Sequence, residues 1–483
     1  MEALDFLSSA AAPDDAVAMT LPDGSIIAYR ELRSAVVRCR EMLGMPQKSL
    51  VVVDEPRSLA GFLGYLAAMS AGHATILAEG DDTVPWNELL AVYQPELLIT
   101  PASSHLTALL ERAGYRRRTA SPLSVWRRSR DTYGPPALIH SELGMLMRTS
   151  GSLGVPKMVR LSYGNLHANA LAIAEALALR SSDRALTSLP LDFSFGLSIV
   201  NSAFAAAASV AVTTWSPSSE LFWRYSDHVG GTCVGAVPST FRFLRARGWD
   251  PSAHPDLRLL LHSGGALDSE TILYYAERMA VQGGEFVSMY GQTEATARIA
   301  CLPGALATTH CGSAGMAIPG SRVSIHHGQN SLHAGDGEIG EIVVHGPGVM
   351  MGYATGRSDL ALGDEQGATL YTGDLGYFRN GLLYVLGRKD RQVKVFGRRI
   401  NLDQLEISLS RRGVAAAVEV AGADRIVVVA ENSAAAAGAC RELARETGLP
   451  PSSLSLVAVG CLPRTRTGKV DRSAIAHLAG KIS

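Results

Sequence analysis

Short apolar runs alternate with longer stretches of helical periodicity along most of the chain. Runs this short and this rich in Val, Ile and Leu predict strands that are buried on both faces. The clearest of them are residues 50–53, 97–100, 209–214, 257–265 and 285–291. Residues 165–179, in contrast, place apolar side chains on one face of a predicted helix. Strands that alternate with helices predict a layered α/β architecture.

The pattern changes twice towards the C-terminal part of the chain. From about residue 338, short apolar runs are separated by Gly-rich turns, which predicts a small β-rich subdomain. A charged segment follows Gly387, and a compact βαββαβ-like pattern follows that segment. We therefore expect a large N-terminal domain over residues 1–389, built of layered α/β subdomains plus the β-rich subdomain. A small, mobile α+β domain is expected over residues 390–483.

Composition limits the classes of function only loosely. The 483 residues exceed the size of one hydrophobic core, which agrees with more than one domain. The chain has 44 basic and 45 acidic residues, so its formal net charge of −1 favours neither nucleic acid nor an anionic membrane as a partner. The basic run at residues 116–118 is interpreted as a solvated face.

The cysteines and the N-terminus bear on the cellular compartment. The six cysteines form no CxxC pair and no Cys/His array with zinc spacing, which is typical of a reducing compartment. The N-terminus lacks the basic and apolar regions of a secretory signal. No stretch reaches the roughly 20 apolar residues that span a bilayer. We expect a soluble, cytoplasmic protein without a membrane span.

One segment concentrates hydroxyls and glycines and ends in a lysine. Glycines let backbone N–H groups approach a polyphosphate closely, hydroxyls add hydrogen bonds, and Lys157 supplies a positive charge. The spacing is not that of a Walker P-loop. Taken alone, such a run is more often an ordinary surface loop. The segment consists of Thr149, Ser150, Gly151, Ser152, Leu153, Gly154, Val155, Pro156 and Lys157.

Four further segments carry groups suited to a nucleotide. Residues 290–294 (YGQTE) follow a predicted strand and offer an aromatic ring, a hydroxyl and a carboxylate that suits Mg²⁺. Residues 371–374 (YTGD) and 387–390 (GRKD) offer Asp374 for the hydroxyls of a ribose and Arg388 beside it. Residues 463–469 (PRTRTGK) end in a lysine on a Gly-containing loop. Each segment, taken alone, also has a purely structural explanation, as a helix cap, a turn or a solvated loop.

Taken together and in this order, the segments resemble the signature motifs of the ANL superfamily of adenylating enzymes. This superfamily includes acyl-CoA synthetases, the adenylation domains of peptide synthetases and luciferases. The first segment matches the family's SGSTGxPK loop, with Leu153 where Thr is usual. The others match its YGxTE, TGD, GRxDxxVKxxGxRI and PRTxxGK motifs, and residues 340–353 match GExxxxGxxVxxGY. The resemblance covers essentially the whole chain.

The resemblance implies an AMP-forming acid–thiol ligase that uses ATP and Mg²⁺. A carboxylate attacks the α-phosphate to give an acyl-AMP, and a thiol of CoA or of a carrier-protein phosphopantetheine then takes the acyl group. Lys469, Thr293 and Glu294 would be catalytic, with Glu294 also on the metal. The implied nucleotide-binding residues are Thr149, Ser150, Gly151, Ser152, Gly154, Lys157, Gly264, Gly265, Ala266, Tyr290, Gly291, Asp374 and Arg388.

The resemblance also implies a C-terminal domain that rotates between the two half-reactions. The hinge would lie at Lys389 and Asp390, and Gly397 would line the tunnel for the thiol arm. Asn401 replaces the carboxylate that usually follows the RI of this motif. Because no carrier domain follows Lys469, we expect a stand-alone enzyme whose acceptor is free CoA or a separate carrier protein.

The residues expected to line the acyl pocket are Phe193, Ser194, Val237, Met289, Ala295 and Arg298. Amino-acid-activating relatives usually place Asp where this chain has Ser194, which disfavours an α-amino acid unless a shifted register brings Asp192 there. Arg298 has three open interpretations: contact with a second carboxylate or polar group of the substrate, contact with phosphate, or a surface position. The substrate is a small carboxylic acid of open identity.

Two alternatives accompany the ligase. One is a stand-alone enzyme that activates an amino acid. The other, from a different class, is a luciferase-like oxygenase that oxidises the acyl-AMP. A decayed, non-catalytic nucleotide-binding relative is disfavoured because Lys157, Glu294, Asp374 and Lys469 are all present.

Overall fold

The structure is a computed structural model that describes residues 12–79, 85–120, 122–129, 138–148, 157–327, 336–396, 398–422, 425–465 and 468–480. The strands are β1 Val17–Thr20, β2 Ile26–Ala28, β3 Leu50–Asp54, β4 Ala74–Ala78, β5 Leu97–Pro101, β6 Tyr115–Ala120, β7 Leu123–Arg128, β8 Leu143–Arg148, β9 Met158–Ser162, β10 Arg184–Leu186, β11 Ser209–Ala211, β12 Cys233–Ala236, β13 Leu259–His262, β14 Glu285–Tyr290, β15 Ala300–Leu302, β16 Met316–Ala317, β17 Arg322–His326, β18 Gly340–His345, β19 Gly352–Ala354, β20 Thr369–Arg379, β21 Leu382–Arg388, β22 Gln392–Val395, β23 Arg398–Asn401, β24 Ala416–Val420, β25 Ile426–Ala430 and β26 Leu454–Ala458.

The α-helices lie mostly between these strands. They are α1 Tyr29–Leu43, α2 Leu59–Ser70, α3 Trp86–Tyr93, α4 Thr107–Arg112, α5 Tyr163–Ala176, α6 Ser194–Ala205, α7 Glu220–Val229, α8 Pro238–Ala246, α9 Ser269–Val281, α10 Leu402–Arg411, α11 Ser433–Thr447 and α12 Arg472–Gly480. In the described part of the chain, no helix combines the length and the apolar character needed to cross a bilayer.

Two large sheets form the body of the chain. Over the described residues, one has nine strands in the order β16-β15-β14-β13-β12-β10-β11-β1-β2, and the other has eight in the order β19-β9-β8-β4-β3-β5-β7-β6. Strands β10 to β14 and β3 to β5 pair in parallel. Their runs are apolar on both faces because helices cover both sides, as the sequence predicts. The α/β fold class is therefore confirmed.

The main hydrophobic core lies between the two large sheets. Alternate residues of β3 point to opposite faces, so Val51 and Val53 belong to this core, whereas Leu50 and Val52 belong to a second core on the outer side. Helix α2 is buried along nearly its whole length, and its sequence is apolar all round for that reason. Helices α5 and α6 pack against each other in the same core.

Three smaller sheets follow in the described part of the chain. Strands β17, β18, β20 and β21 form the β-rich sheet expected after residue 338, although β17 begins earlier, at Arg322. Strands β22 and β23 form a hairpin within the charged segment. Strands β24, β25 and β26 pair with each other, and helices α10, α11 and α12 pack on them. This last unit has its own apolar clusters. The domain boundary at residue 390 stays a prediction.

Candidate active site

Two loops leave neighbouring strands at the same edge of the nine-stranded sheet. Strands β13 and β14 are parallel, with His262 opposite Ser288, so residues 263–266 and 291–296 emerge side by side. The second loop folds back tightly, since a Cβ at Gly291 would lie only 1.6 Å from the carbonyl oxygen of Ala297. The carboxyl ends of parallel strands are the usual position of ligand sites in α/β sheets.

Asp374 lies opposite Arg388 in the β20–β21 pair and faces the loop after β14. One carboxylate oxygen accepts hydrogen bonds from the Tyr290 hydroxyl (2.5 Å) and the Gln292 amide (3.0 Å). The other oxygen lies 3.4 Å from Nη1 of Arg388. Burial raises the pKa of the Asp374 carboxyl, and the hydrogen bond from Tyr290 and the charge of Arg388 oppose that rise. The motif residues Tyr290, Asp374 and Arg388 thus form one cluster.

Glu294 and Lys157 both contact Tyr353. The Tyr353 hydroxyl donates a 3.0 Å hydrogen bond to Oε1 of Glu294, and Nζ of Lys157 lies 3.4 Å from the centre of the Tyr353 ring. Tyr353 reaches this position because β19 pairs with β9, which places it opposite Val159. Tyr353 ends one of the matched motifs, but nothing in that motif predicts its contact with Glu294.

Lys469 extends from the C-terminal unit into the same site. Its loop contacts the large domain where the Ser239 hydroxyl donates a 3.0 Å hydrogen bond to the Gly468 carbonyl. Nζ of Lys469 lies 5.1 Å from the centre of the Phe193 ring. Burial lowers the pKa of Lys469, and the negative charges of Glu294 and Asp374 oppose that shift. The predicted catalytic lysine, metal carboxylate and ribose carboxylate are therefore electrostatic neighbours.

The residues expected to form the acyl pocket surround this cluster. Helix α6 begins at Ser194, whose hydroxyl lies 3.3 Å from that of Thr293, and Phe193 is its N-cap. A Cβ at Gly264 would lie within 4 Å of Val237, Phe193 and Lys469, so these residues converge on the loop after β13. Met289 and Ala295 are buried on either side of the YGQTE segment. A cavity with room for about one water molecule adjoins Ser194.

Arg298 is fully buried, at 2% exposure. Its Nε donates to the Met289 sulfur at 3.1 Å, and its guanidinium carbon lies 4.2 Å from the centre of the Phe195 ring. Of the three interpretations that the sequence left open, the surface position is wrong. The chain turns inward here because Thr296 and Ala297 adopt positive φ, and this turn has no clear sequence signal.

The segment expected to act as a hinge lies between β21 and β22. The Lys389 amide donates to the Gly373 carbonyl (2.7 Å), and its ammonium forms an ion pair with Glu341 (2.8 Å). The side chain of Asp390 is 75% exposed. Glu341 belongs to the matched GExxxxGxxVxxGY motif, but the motif alone predicts no contact with Lys389.

Some predicted site residues cannot be placed. Thr149, Ser150, Gly151, Ser152 and Gly154 of the phosphate loop and Gly397 of the thiol tunnel lie outside the described residues. Of the phosphate-loop residues predicted to bind the nucleotide, only Lys157 lies within the described residues.

The side chains that could hold a metal are few in the described part of the chain. Glu294 offers one carboxylate near the predicted phosphate site, and Mg²⁺ is commonly held by one or two carboxylates together with substrate phosphates. The residues present therefore fit Mg²⁺ as a partner of a bound polyphosphate. Among the described residues, one group of three potential ligands is close enough to share an ion: Asp54, Glu55 and His105. None of these belongs to the predicted site.

Comparison with known proteins identifies the family. A family model described as AMP-binding enzyme matches residues 6–354, so the chain belongs to the AMP-binding enzyme family. This result confirms the family that the motifs indicate.

Individual relatives agree with this membership. The chain is 31% identical over 339 residues to the non-ribosomal peptide synthetase CmlP of Streptomyces venezuelae, a match that covers 68% of this chain. The match spans only 34% of that synthetase's length. The chain is also 29% identical over 352 residues to the sulfoacetate–CoA ligase of Cupriavidus necator, covering 69% of this chain and 67% of that enzyme.

Among solved structures, ATP-bound MatB from Rhodopseudomonas palustris has the same fold. Its TM-score is 0.80, at 20% identity and with 100% of both chains covered. At this identity the likeness concerns the fold.

Proposed function

We propose that the protein is an ATP-dependent ligase that converts a small carboxylic acid to its acyl-AMP and then transfers the acyl group to a thiol. The observation that carries this proposal is the position of Lys469. A lysine from the last unit of the chain lies at the carboxyl edge of the main sheet, with Nζ 5.1 Å from the centre of the Phe193 ring, where the negative charges of Glu294 and Asp374 act on it. Membership of the AMP-binding enzyme family supports the nucleotide assignment.

The nucleotide would occupy the edge formed by the loops after β13 and β14. Tyr290 packs against adenine, with Gly264, Gly265 and Ala266 on the other side of the base. Asp374 accepts the ribose hydroxyls, and Arg388 holds the carboxylate in place from the opposite strand. The loop from Thr149 to Lys157 binds the β- and γ-phosphates, with Lys157 supplying its positive charge.

In the first half-reaction, a carboxylate oxygen of the acid attacks the α-phosphorus. The new O–P bond forms as the bond to the pyrophosphate oxygen breaks, so pyrophosphate leaves with the electron pair. Two anions must approach each other, and a cation between them lowers that barrier. Lys469 is that cation, and the Thr293 hydroxyl donates to the α-phosphate.

Mg²⁺, when bound with the polyphosphate, neutralises phosphate charge. Glu294 would hold it, and Tyr353 keeps the Glu294 carboxylate oriented through its 3.0 Å hydrogen bond. The Lys157 ammonium, which lies over the Tyr353 ring, is also near these charges.

In the second half-reaction, a thiolate attacks the acyl carbon and AMP leaves. Residues 390–483 would move as one domain about Lys389 and Asp390, withdrawing Lys469 and bringing the segment with Gly397 to the site. The acceptor is CoA or a carrier-protein phosphopantetheine. The name of the CoA ligase relative supports the first, while the peptide-synthetase relative keeps the second open. The cytoplasmic location stays a prediction.

Phe193, Ser194, Val237, Met289, Ala295 and Arg298 would line the acid pocket. Ser194 begins α6 and its hydroxyl lies 3.3 Å from that of Thr293, which supports a hydroxyl, and not the Asp192 carboxylate, beside the reacting group. A carboxylate that could hold an α-ammonium is therefore missing at this position.

ATP–pyrophosphate exchange over a panel of carboxylic acids tests the function directly. The panel should include short-chain, aryl and hydroxy acids, with the twenty amino acids as a control set. Acid-dependent exchange that requires Mg²⁺ is the expected result. Exchange with amino acids alone would overturn the choice of substrate class, and the absence of exchange with every acid would overturn adenylation.

A further inference from the structure

Arg298 has an unusual environment for a charged side chain. It belongs to the fully buried residues of the molecule, and Nε uses its one hydrogen on the Met289 sulfur, a weak acceptor. Phe195 covers one face of the guanidinium at 4.2 Å. Both terminal nitrogens, Nη1 and Nη2, are buried and have no hydrogen-bond partner within the described residues.

The charge of Arg298 is not balanced by a carboxylate of the described residues. Across those ranges, no carboxylate oxygen lies within 4 Å of its guanidinium. Burial lowers the pKa of Arg298 to about 10, so the group stays positively charged at neutral pH. The nearby thiols of Cys233 and Cys301 are neutral, because burial raises their pKa values to about 12 and about 11. A buried charge normally has a partner, since the cost of removing it from water is several kcal/mol.

The position of Arg298 indicates where the missing partner would come from. Its side chain contacts Met289, directly before Tyr290, and Phe195, directly after Ser194. The Phe195 ring lies 6.1 Å from that of Phe193, and Lys469 lies on the Phe193 side. The fully buried Arg298 and the partly buried Lys469 are thus two cations separated by one pair of aromatic rings.

We propose that the acid activated by this enzyme carries a second carboxylate, and that Nη1 and Nη2 of Arg298 bind it. The proposal rests on the proposed adenylating function and specifies its substrate class. One carboxylate of the acid would lie at Lys469 for activation and the other at Arg298. The two terminal nitrogens of a guanidinium can bind the two oxygens of a carboxylate as a bidentate pair. A hydroxyl or a carbonyl has one oxygen and cannot form such a pair.

The surroundings favour a short acid. The cavity beside Ser194 has room for about one water molecule and is lined by Asn169, whose side-chain amide donates to the backbone carbonyl of Arg298 at 3.1 Å, but the guanidinium itself does not line this cavity. Phe195 of helix α6 and Met289 of strand β14 contact the guanidinium directly, which leaves little free space beside it. Linear dicarboxylic acids of four to six carbons are therefore the acids to test first.

The test compares matched acids in ATP–pyrophosphate exchange. Each linear dicarboxylic acid of four to six carbons is paired with its monomethyl ester and with the monocarboxylic acid of the same length. The wild-type enzyme is expected to prefer the dicarboxylic acid by about 100-fold in kcat/KM, the effect of one charged, bidentate interaction. Equal use of the monocarboxylic partner would overturn the proposal.

Substitution of Arg298 separates recognition from a structural role. Arg298→Met should lose about 100-fold with dicarboxylic acids and stay within about 3-fold with monocarboxylic acids, so the preference disappears. Its thermal midpoint without ligand should equal or exceed that of the wild type, because an unpaired buried cation is removed. Arg247→Met, on an exposed arginine, is the matched control.

The outcomes distinguish this proposal from the function on which it rests. Exchange with monocarboxylic acids only, or an unchanged preference in Arg298→Met, would contradict the role of Arg298 and leave adenylation standing. The absence of exchange with both classes of acid would contradict adenylation itself, and the proposal with it. If Arg298→Met does not fold, the wild-type preference alone still decides the substrate class.

Discussion

The Tyr290 hydroxyl and the Asp374 carboxylate are joined by a 2.5 Å hydrogen bond, although the two residues are 84 positions apart. This bond connects the last residue of β14 in the main sheet to β20 in the β-rich sheet. Burial raises the pKa of Tyr290 well above its ordinary value, so its hydroxyl stays a neutral donor to the carboxylate. The ring that we propose to stack on the base and the proposed ribose ligand are therefore fixed relative to each other before a nucleotide binds.

Asp374→Asn should weaken nucleotide binding more than it affects the fold. The amide cannot accept both ribose hydroxyls as a carboxylate does, so we expect the KM for ATP to rise about 10- to 100-fold. Steady-state exchange at varied ATP concentration measures this rise. Asp256→Asn, on an exposed carboxylate, is the control. An unchanged KM for ATP would place the ribose elsewhere.

The proposed role of Lys469 also predicts a pH dependence. Because burial lowers the pKa of this ammonium, it loses its proton at a lower pH than an ordinary lysine with a pKa of 10.5. The exchange rate should therefore fall on the alkaline side as the pH rises through this lowered pKa. Lys469→Arg keeps its charge at high pH. In the activity that remains, the alkaline fall should therefore move to a higher pH. An alkaline limb at the same pH in both proteins would assign the titration to another group.

The loop that carries Lys469 leaves little space at Gly468. Gly468 has φ of +78°, and a Cβ there would lie 2.8 Å from Oγ of Ser239 and 2.9 Å from Cγ2 of Val237. Gly468→Ala should disfavour the docked loop by about 1 kcal/mol or more and slow adenylation about 5-fold or more. Gly460→Ala is the matched control, because no described residue lies within 4 Å of the position that its Cβ would take. Equal rates for the two variants would show that the loop does not dock in this way.

The proposed hinge makes a different prediction. Asp390→Pro restricts the backbone at the boundary between residues 1–389 and 390–483, whereas Asp390→Ala removes only the exposed side chain. We expect the Pro variant to keep exchange within about 3-fold and to lose at least about 10-fold in thioester formation. The Ala variant should keep both reactions. Equal loss of both reactions in the Pro variant would contradict a hinge at this position.

Much of this site was predictable because its residues stand in ordered motifs on strand ends. The strands before Ser263 and Gly291 are apolar runs, and parallel pairing necessarily brings their ends to one edge. The contact between Asp374 and Arg388 follows from a short antiparallel pair that Gly-rich turns already indicate.

Other parts depend on tertiary contacts that no local pattern encodes. Tyr353 reaches Glu294 only because β19 joins β9, which lies almost 200 residues earlier in the chain. Arg298 is buried because Thr296 and Ala297 adopt positive φ, a conformation that neither residue type favours. Lys389 pairs with Glu341, which lies on another strand of the β-rich sheet region. In each case the partner is set by sheet pairing or loop geometry, so the sequence alone leaves several partners open.

The adenylating role of Lys469 can be tested by measuring the two half-reactions separately in Lys469→Ala. Acyl-AMP formation from acid and ATP is followed in a single turnover, and thioester formation is followed from supplied acyl-AMP and thiol. Because Lys469 is proposed to act only on the first step, adenylation should fall by at least about 100-fold, the effect of removing one charged group from a transition state. Thioester formation should stay within a few-fold of the wild type. Equal loss in both half-reactions, or wild-type adenylation, would contradict the role of Lys469 and the proposed function that depends on it.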